Sequence, residues 1–539
     1  MKKAIYIVGA WVAGGVLAVT TLASALLTLP AHAVSSGGKM FISADNTFYA
    51  YVKGGETISA SFIKTDQVEL LGLEKQDIPV TLEGPELETQ RCILEKAAAT
   101  GSGCRFTNVT APETGIYKIT VALPAAAKPY ESITPSVKWG GNLYSWDIAV
   151  HDSQTEKTGR IWSELYAVRQ PIEVSYSADL TLHYVSENGY AYRAQYKGYN
   201  GQISTFSADA VGIVKRKECT SAYQSVQVDD TKYAPSFGEC GGSFKVFFEQ
   251  PAGDLPERAK TWDGTSSEWI APTVVPPKVS ELRFESDAAS DLQSGIIKYK
   301  LSNFVGQYRV EIDTDGNGSF SGKDDIRISR TMKRTTNNTQ TVKFSGVDAA
   351  GQVIPTTQPI AIRIHVEKVA EIHLVNADVE GRTGGLEIMR LNGENAPSSR
   401  ICWNDTDLVS LASTSLQTSA LDGRHCPESA GKALHGWAYA TGSWGDNRYI
   451  DDWAYAAVKV KGITQIEYPE DNQEVAVSQQ NHQWVLFAGI GVTIAALIGG
   501  ATVLVVRRQR RVLQVKAAQQ QAAMQIPGPS DPPLPPMNG

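Results

Sequence analysis

The chain has 539 residues, 42% hydrophobic and 20% charged, with 47 Gly, 21 Tyr and 11 Trp. That length calls for several domains, and the composition is globular and favours strands and tight turns over disorder or a collagen-like repeat. The net charge of −7 is gathered in the central stretch, since residues 1–33 carry only Lys2 and Lys3 and residues 507–539 carry four Arg and one Lys against Asp531; an acidic body offers no electrostatic footprint for phosphate, which argues against nucleic-acid binding. In chain order, Lys2-Lys3, an apolar run from Ala4 to Leu27 and Ala31-His32-Ala33 have the three parts of a secretory signal. Residues 1–33 therefore read as a signal peptide cleaved after Ala33. An uncleaved anchor is the alternative, and under either reading the body is exported.

Residues 34–124 read as a first β-sandwich, in which Tyr117, Ile119 and Val121 alternate with Lys118 and Thr120 at the period of a half-buried strand. The segments Asn46-Thr-Phe-Tyr-Ala-Tyr-Val-Lys-Gly-Gly-Glu56 and Ala111-Pro-Glu-Thr-Gly-Ile-Tyr-Lys-Ile-Thr-Val121 bracket this stretch. Residues 46–121 thereby resemble the pre-peptidase C-terminal domain family of bacterial secreted proteins. The resemblance implies a jelly-roll module that accompanies enzymes without itself being catalytic.

A Pro-rich joint from Pro124 to Pro135 precedes a second β-rich domain over 136–270, and Pro272, Pro276 and Pro277 separate it from a third over 276–368. In the third, Tyr308, Val310 and Ile312 alternate with Arg309 and Glu311, and Ile360, Ile362, Ile364 and Val366 alternate with Ala361, Arg363 and His365. Between the two runs lies Asp313-Thr-Asp-Gly-Asn-Gly-Ser-Phe-Ser-Gly-Lys-Asp324-Asp325. Oxygen side chains at loop positions 1, 3 and 5, Gly at 6 and a carboxylate at 12 match calcium-loop spacing, with Asp in place of the usual Glu. Asp313, Asp315 and Asn317 would give side-chain oxygens, Ser319 its carbonyl and Asp324 the closing carboxylate, for one structural Ca2+. The flanks read as strands, so this is a calcium loop inside a β-domain; the alternative is an acidic Gly-rich hairpin without metal.

The same stretch, followed by Val342-Lys-Phe-Ser-Gly-Val-Asp-Ala-Ala-Gly-Gln-Val-Ile-Pro355, resembles immunoglobulin-like modules of flagellar hook-capping and bacterial surface proteins. That family usually carries Trp-Asp-Gly where Phe344-Ser345-Gly346 stands here. The resemblance implies an immunoglobulin-like fold for this segment.

Residues 369–466 read as a Trp-containing β-rich domain. Trp437, Trp444, Asp446 and Arg448 combine aromatic rings with polar groups, a pattern that serves either a sugar-binding face or a packed core, and core is the better reading. An acidic stalk over 467–483 leads to Val485–Val506, 22 residues without charge. At about 1.5 Å per residue this spans the hydrocarbon layer as one transmembrane helix. Arg507-Arg508-Gln509-Arg510-Arg511 stops transfer and places the tail, 507–539, in the cytoplasm. Gly491, Ala495 and Gly499 form a small-residue stripe for helix pairing and self-association. The tail's Pro532-Pro-Leu-Pro-Pro536 favours polyproline II.

The six cysteines all lie in the exported body and pair most simply by proximity as Cys92–Cys104, Cys219–Cys240 and Cys402–Cys426. The sequence holds no His-Glu-x-x-His, Gly-x-Ser-x-Gly or phosphate-cradling loop. The expected architecture is mainly β: tandem jelly-roll and immunoglobulin-like sandwiches outside the cell, with one C-terminal transmembrane helix. The expected role is adhesion, interaction or envelope structure, toward a protein or glycan ligand and not nucleic acid. The alternative is a membrane-anchored extracytoplasmic enzyme acting on glycans.

Overall fold

The computed structural model describes residues 34–35, 42–43, 46–64, 77–95, 99, 101–121, 144–153, 155–169, 177–201, 204–290, 292–333, 339–377, 379–408, 421–439, 444–445 and 447–469. The expected signal, most of the stalk, the membrane span with Gly491, Ala495 and Gly499, and the tail lie outside them. Among the described residues the regular structure is almost all strand, and no helix is long and apolar enough to cross a membrane.

Alternation in sequence becomes alternation in burial. Along Gly115–Val121, Tyr117, Ile119 and Val121 are buried while Lys118 and Thr120 are half-buried. Ile360–His365 buries Ile360, Ile362 and Ile364 and keeps Arg363 and His365 half out. Successive side chains of a pleated strand point to opposite faces, so period-two apolarity gives each strand one core face.

Two long sheets organise most of the chain. One runs in hydrogen-bonded order from Val226–Gln227 through Arg448–Ala456, Val369–Ala377, Ser204–Asp209, Leu165–Arg169, Ile42–Ser43, Tyr144–Asp152 and Thr57–Lys64 to Gly103–Thr110. The other runs from Gly381–Arg390 through Ala191–Asn200, Ala178–Val185, Lys245–Phe247, Ile161–Ser163, Asn46–Val52, Gly115–Val121 and Ile78–Gly84 to Leu87–Leu94. Phe48, Trp146 and Phe248 sit in the shared core, with Trp146 centroids 4.6 Å from Phe48 and 4.8 Å from Phe248. Burying each such side chain contributes about 1.5–3 kcal/mol.

The segments 34–124, 136–270 and 369–466, expected as separate domains, therefore share sheets. Thr57–Lys64 pairs along its length with Tyr144–Asp152, so the first segment borrows a strand from beyond the Pro-rich joint. Ser43 bridges Tyr144 on one side and Val168 on the other. Ser204–Asp209 pairs with Val369–Ala377, joining Phe206 to Asn376 across the sequence. The strands on either side of the Pro-rich joint thus belong to one sheet.

The third lobe is inserted into this framework. Its sheets run Thr339–Phe344, Gly295–Ser302, Lys278–Ser286, Lys461–Gly462 and Ile326–Met332, Gly306–Asp313, Ile360–His365, Gln465–Tyr468. The Tyr299 and Tyr308 hydroxyls meet at 2.9 Å between the two sheets, so these pack as a sandwich. The chain leaves the long sheets after Lys245–Phe247, forms a separate hairpin of Arg258–Lys260 and Ser267–Trp269, re-enters at Val369–Ala377 and returns to the lobe at Lys461–Gly462. Glu467, expected to open the stalk, is a strand residue paired with Ala361. Gly462 (φ +93°) lies beside Val279 in a short parallel contact, where a Cβ would come 1.9 Å from the Val279 carbonyl oxygen; only glycine fits.

All three expected disulfides are formed. Cys92–Cys104 joins Leu87–Leu94 to Gly103–Thr110, the outermost strands of the two long sheets at one end.

Candidate metal centre

The strand Gly306–Asp313 ends in a carboxylate. Asp313 is fully buried, and its oxygens accept the Gly316 N–H at 2.8 Å and the Gly318 N–H at 2.7 Å. Gly316 (φ 68°) and Gly318 (φ 80°) adopt the left-handed backbone that aims both donors at one carboxylate. Asp315 is exposed and accepts from the Asn317 backbone at 3.1 Å and its side-chain amide at 2.7 Å. At the far side of the turn, buried Asp325 accepts the Thr314 N–H at 3.2 Å and the Gly322 N–H at 2.7 Å.

Carboxylate oxygens of Asp313, Asp315 and Asp325 all lie within 4.8 Å of one another. Burial pushes the Asp313 carboxyl up from its ordinary value and Asp315 adds to the shift, while the Gly318 and Gly316 N–H groups oppose it. A buried carboxylate beside two others is the situation a hard cation relieves. The donors are all oxygen, the chemistry that suits calcium or magnesium and not a soft metal.

The structure brings together two of the five residues expected as ligands, Asp313 and Asp315. Asn317 Oδ1 accepts the Ser319 N–H at 2.7 Å, and Ser319 Oγ meets Ser321 Oγ at 2.8 Å; neither contact involves the Ser319 carbonyl, its expected donor atom. Asp324 does not supply the third carboxylate of the cluster; Asp325 does. The Asp324 carbonyl is occupied by Thr314 Oγ1 and Ala349 N–H, both at 2.9 Å. Helical geometry would bring position 12 of a calcium loop to the metal, but here the chain enters the strand Ile326–Met332 directly, and the residue next to that strand turns inward.

The aromatic cluster in 369–466 is core. Trp437, Trp444 and Arg448 are buried, and the Arg448 guanidinium lies 4.7 Å from the Trp444 ring centroid. These three form no exposed sugar-binding face, and Asp446 lies outside the described residues. Around them stands a buried ionic network. His435 Nε2 faces Asp405 at 2.6 Å and Nδ1 faces Asp452 at 2.5 Å, with the ring stacked on Trp403 at 5.1 Å. A second set places His373 Nδ1 2.9 Å from Asp451, with Tyr223 donating to Glu371 at 3.0 Å. Sequence reasoning missed both sets; the available signal was the adjacent Asp451-Asp452 inside the otherwise strand-like run Arg448–Ala456.

No family model and no curated protein matches the chain.

Proposed function

We propose that the chain is a single-pass membrane protein of the cell surface. Its tandem sandwiches, jelly-roll-like at the start and immunoglobulin-like in the inserted lobe, present an interaction or adhesion surface stiffened by one calcium ion. The observation that carries the calcium reading is the convergence of Asp313, Asp315 and Asp325 at one turn, with Asp313 wholly buried. Loop carbonyls and water complete the six to eight oxygens that calcium takes. The ion is structural, of the weak class with Kd of about 10⁻⁴–10⁻³ M that suits extracellular modules. Three disulfides accord with an oxidising compartment. The apolar run before Ala33 and the Val485–Val506 span supply export and anchorage.

Two measurements test the reading. The detergent-solubilised full chain should melt higher in calcium than in chelator, by an increment that grows with free ion, and calorimetry should show one site. Protease added to intact cells should remove the body and spare a tag placed after Gly539. Identical melting in both buffers overturns the metal; digestion of the tag from outside overturns the topology.

A further inference from the structure

The inserted lobe is basic in an acidic chain: residues 276–368 carry 13 Lys and Arg against 11 Asp and Glu, while the whole chain has a net charge of −7. Register gathers the excess on one face. In the sheet of Thr339–Phe344, Gly295–Ser302, Lys278–Ser286 and Lys461–Gly462, side chains such as Val279, Phe284, Ile297, Tyr299 and Val342 are buried in the core, which turns their neighbours outward. Directly opposed residues set the outer rows. Ile296 lies between Lys343 and Glu285, Lys298 between Thr341 and Arg283, Lys300 between Thr339 and Ser280, and Lys278 between Ser302 and Lys461. Lys278, Arg283, Lys343 and Lys461 are exposed, and Lys298 and Lys300 are half-buried.

These four strands hold six cations and two carboxylates, Glu281 and Glu285. Glu285 engages Arg283 Nε at 3.0 Å and Lys298 Nζ at 2.5 Å. Among the described residues no ion pair engages Lys278, Lys300, Lys343 or Lys461. Two of the oppositions are between like charges, Lys278 with Lys461 and Arg283 with Lys298, an arrangement that destabilises a sheet. Protection of an edge does not account for it, because Lys298 and Lys300 lie on Gly295–Ser302, which is paired on both sides. A sheet face with a cation in every row matches an extended anionic surface better than a point ligand.

Position along the chain names that surface. The last strand of the lobe ends at Tyr468, whose ring packs on Phe284 of the basic sheet with centroids 4.8 Å apart. Residues 469–484 lead from there to Val485, and 16 residues at the extended limit of about 3.3–3.6 Å each reach no further than about 55 Å. We propose that this face binds the anionic lipid headgroups of the membrane that anchors the chain, an inference that rests on the single-pass reading above. A tether of this length keeps the face at high effective concentration beside the headgroups. Each basic group at an anionic surface then strengthens the contact about fivefold.

The test reconstitutes the full chain into vesicles of phosphatidylcholine, alone or mixed equally with phosphatidylglycerol, and reads a membrane-impermeant lysine-acylating reagent by peptide mass spectrometry. Lys278, Lys300, Lys343 and Lys461 should react about fivefold more slowly in the anionic vesicles. Lys217 and Lys432, exposed outside the lobe, should not change. Raising NaCl to about 1 M, where the screening length is about 3 Å, should abolish the protection. Lys298→Gln, Lys300→Gln and Lys343→Gln together should return Lys278 and Lys461 to their rates in neutral vesicles. Lys343→Gln with Lys461→Gln, read at Lys278 and Lys300, serves if the triple variant fails to fold. Equal rates in the two vesicles overturn the proposal; if equally slow, they assign the cover to a second copy or to the acidic stretch 467–474. Full protection in a folded variant overturns it as well. Extraction of the chain by alkaline carbonate would instead overturn the single-pass reading. The released chain should then still float with anionic and not with neutral vesicles, and failure to do so overturns the lipid-binding face.

Discussion

The Arg382 guanidinium donates to Asp452 at 2.8 Å with neither side chain open to solvent. The same guanidinium caps the His435 carbonyl from Nε at 3.1 Å and Nη2 at 2.8 Å, and lies 4.7 Å from the Trp437 ring centroid. Removing one partner of such a pair leaves the other charged and unsolvated. Arg382→Leu should therefore cost about 3–5 kcal/mol, read as a lower urea midpoint. Arg382→Leu combined with Asp452→Leu should recover part of that loss, and a double variant no more stable than the single one would contradict the pairing.

The histidines of the same region set a pH dependence. Burial opposes charge on His435, but Asp405 and Asp452 outweigh it and hold the ring up at about 9; Asp451 and Glu371 likewise hold buried His373 up at about 10. A histidine whose folded pKa is raised gives stability that is complete below its ordinary value and lost as pH rises through the folded value. The urea midpoint should therefore hold up to about pH 6.5 and then decline toward pH 9–10. His435→Gln should flatten the part of the decline ending near pH 9. A midpoint rising with pH across this window would refute the ion pairs.

Asp324 and Asp325 can be told apart. Asp325→Asn should abolish any calcium-dependent rise in melting temperature, because its carboxylate belongs to the cluster with Asp313 and Asp315. Asp324→Asn should leave most of that rise in place. The reverse pattern would restore the spacing read from the sequence.

The bridge between the two outermost strands closes a short loop, Cys92 to Cys104 at a separation of 12 residues. Replacing both cysteines by serine should lower unfolding stability by about 3 kcal/mol, the chain-entropy value for a loop of this size. Equilibrium denaturation checks it, and unchanged stability would mean that the open chain already holds these strands together.

Gly462 fixes the return of the chain to the inserted lobe. Gly462→Ala should break the parallel contact at Val279, since the new Cβ meets the Val279 carbonyl oxygen. The cost should be about 1–3 kcal/mol, the scale of a strained backbone position. Faster hydrogen exchange along Lys278–Ser286 is the expected signature, with the long sheets unaffected.

Strand character was legible because it is local: Tyr117, Ile119 and Val121 show their inward face in the sequence itself. Cysteine pairing was legible for the same reason, each pair being close along the chain. Partnership between strands was not. Nothing near Phe206 announces that its neighbour is Asn376, because backbone pairing carries no residue code and an inserted lobe leaves only prolines at its borders. The acidic turn was legible in composition, but the carboxylate that clusters with Asp313 and Asp315 is Asp325, next to the strand Ile326–Met332, which the loop spacing alone does not single out. For Trp437 and Arg448 core was already the better reading, and both are buried.

The returning strands also dictate an order of assembly. As the chain emerges from its N-terminus, Ser204–Asp209 must wait for Val369–Ala377, and Lys278–Ser286 and Ile360–His365 must wait for Lys461–Gly462 and Gln465–Tyr468. Neither unit can finish until nearly the whole described chain is present, and each early strand keeps an open edge in the meantime. Contacts this distant slow folding and leave such edges free to pair with other chains. Completion thus falls to the last few residues of the return, so a chain stopped just short of Lys461 would leave the inserted lobe without an edge strand on either sheet.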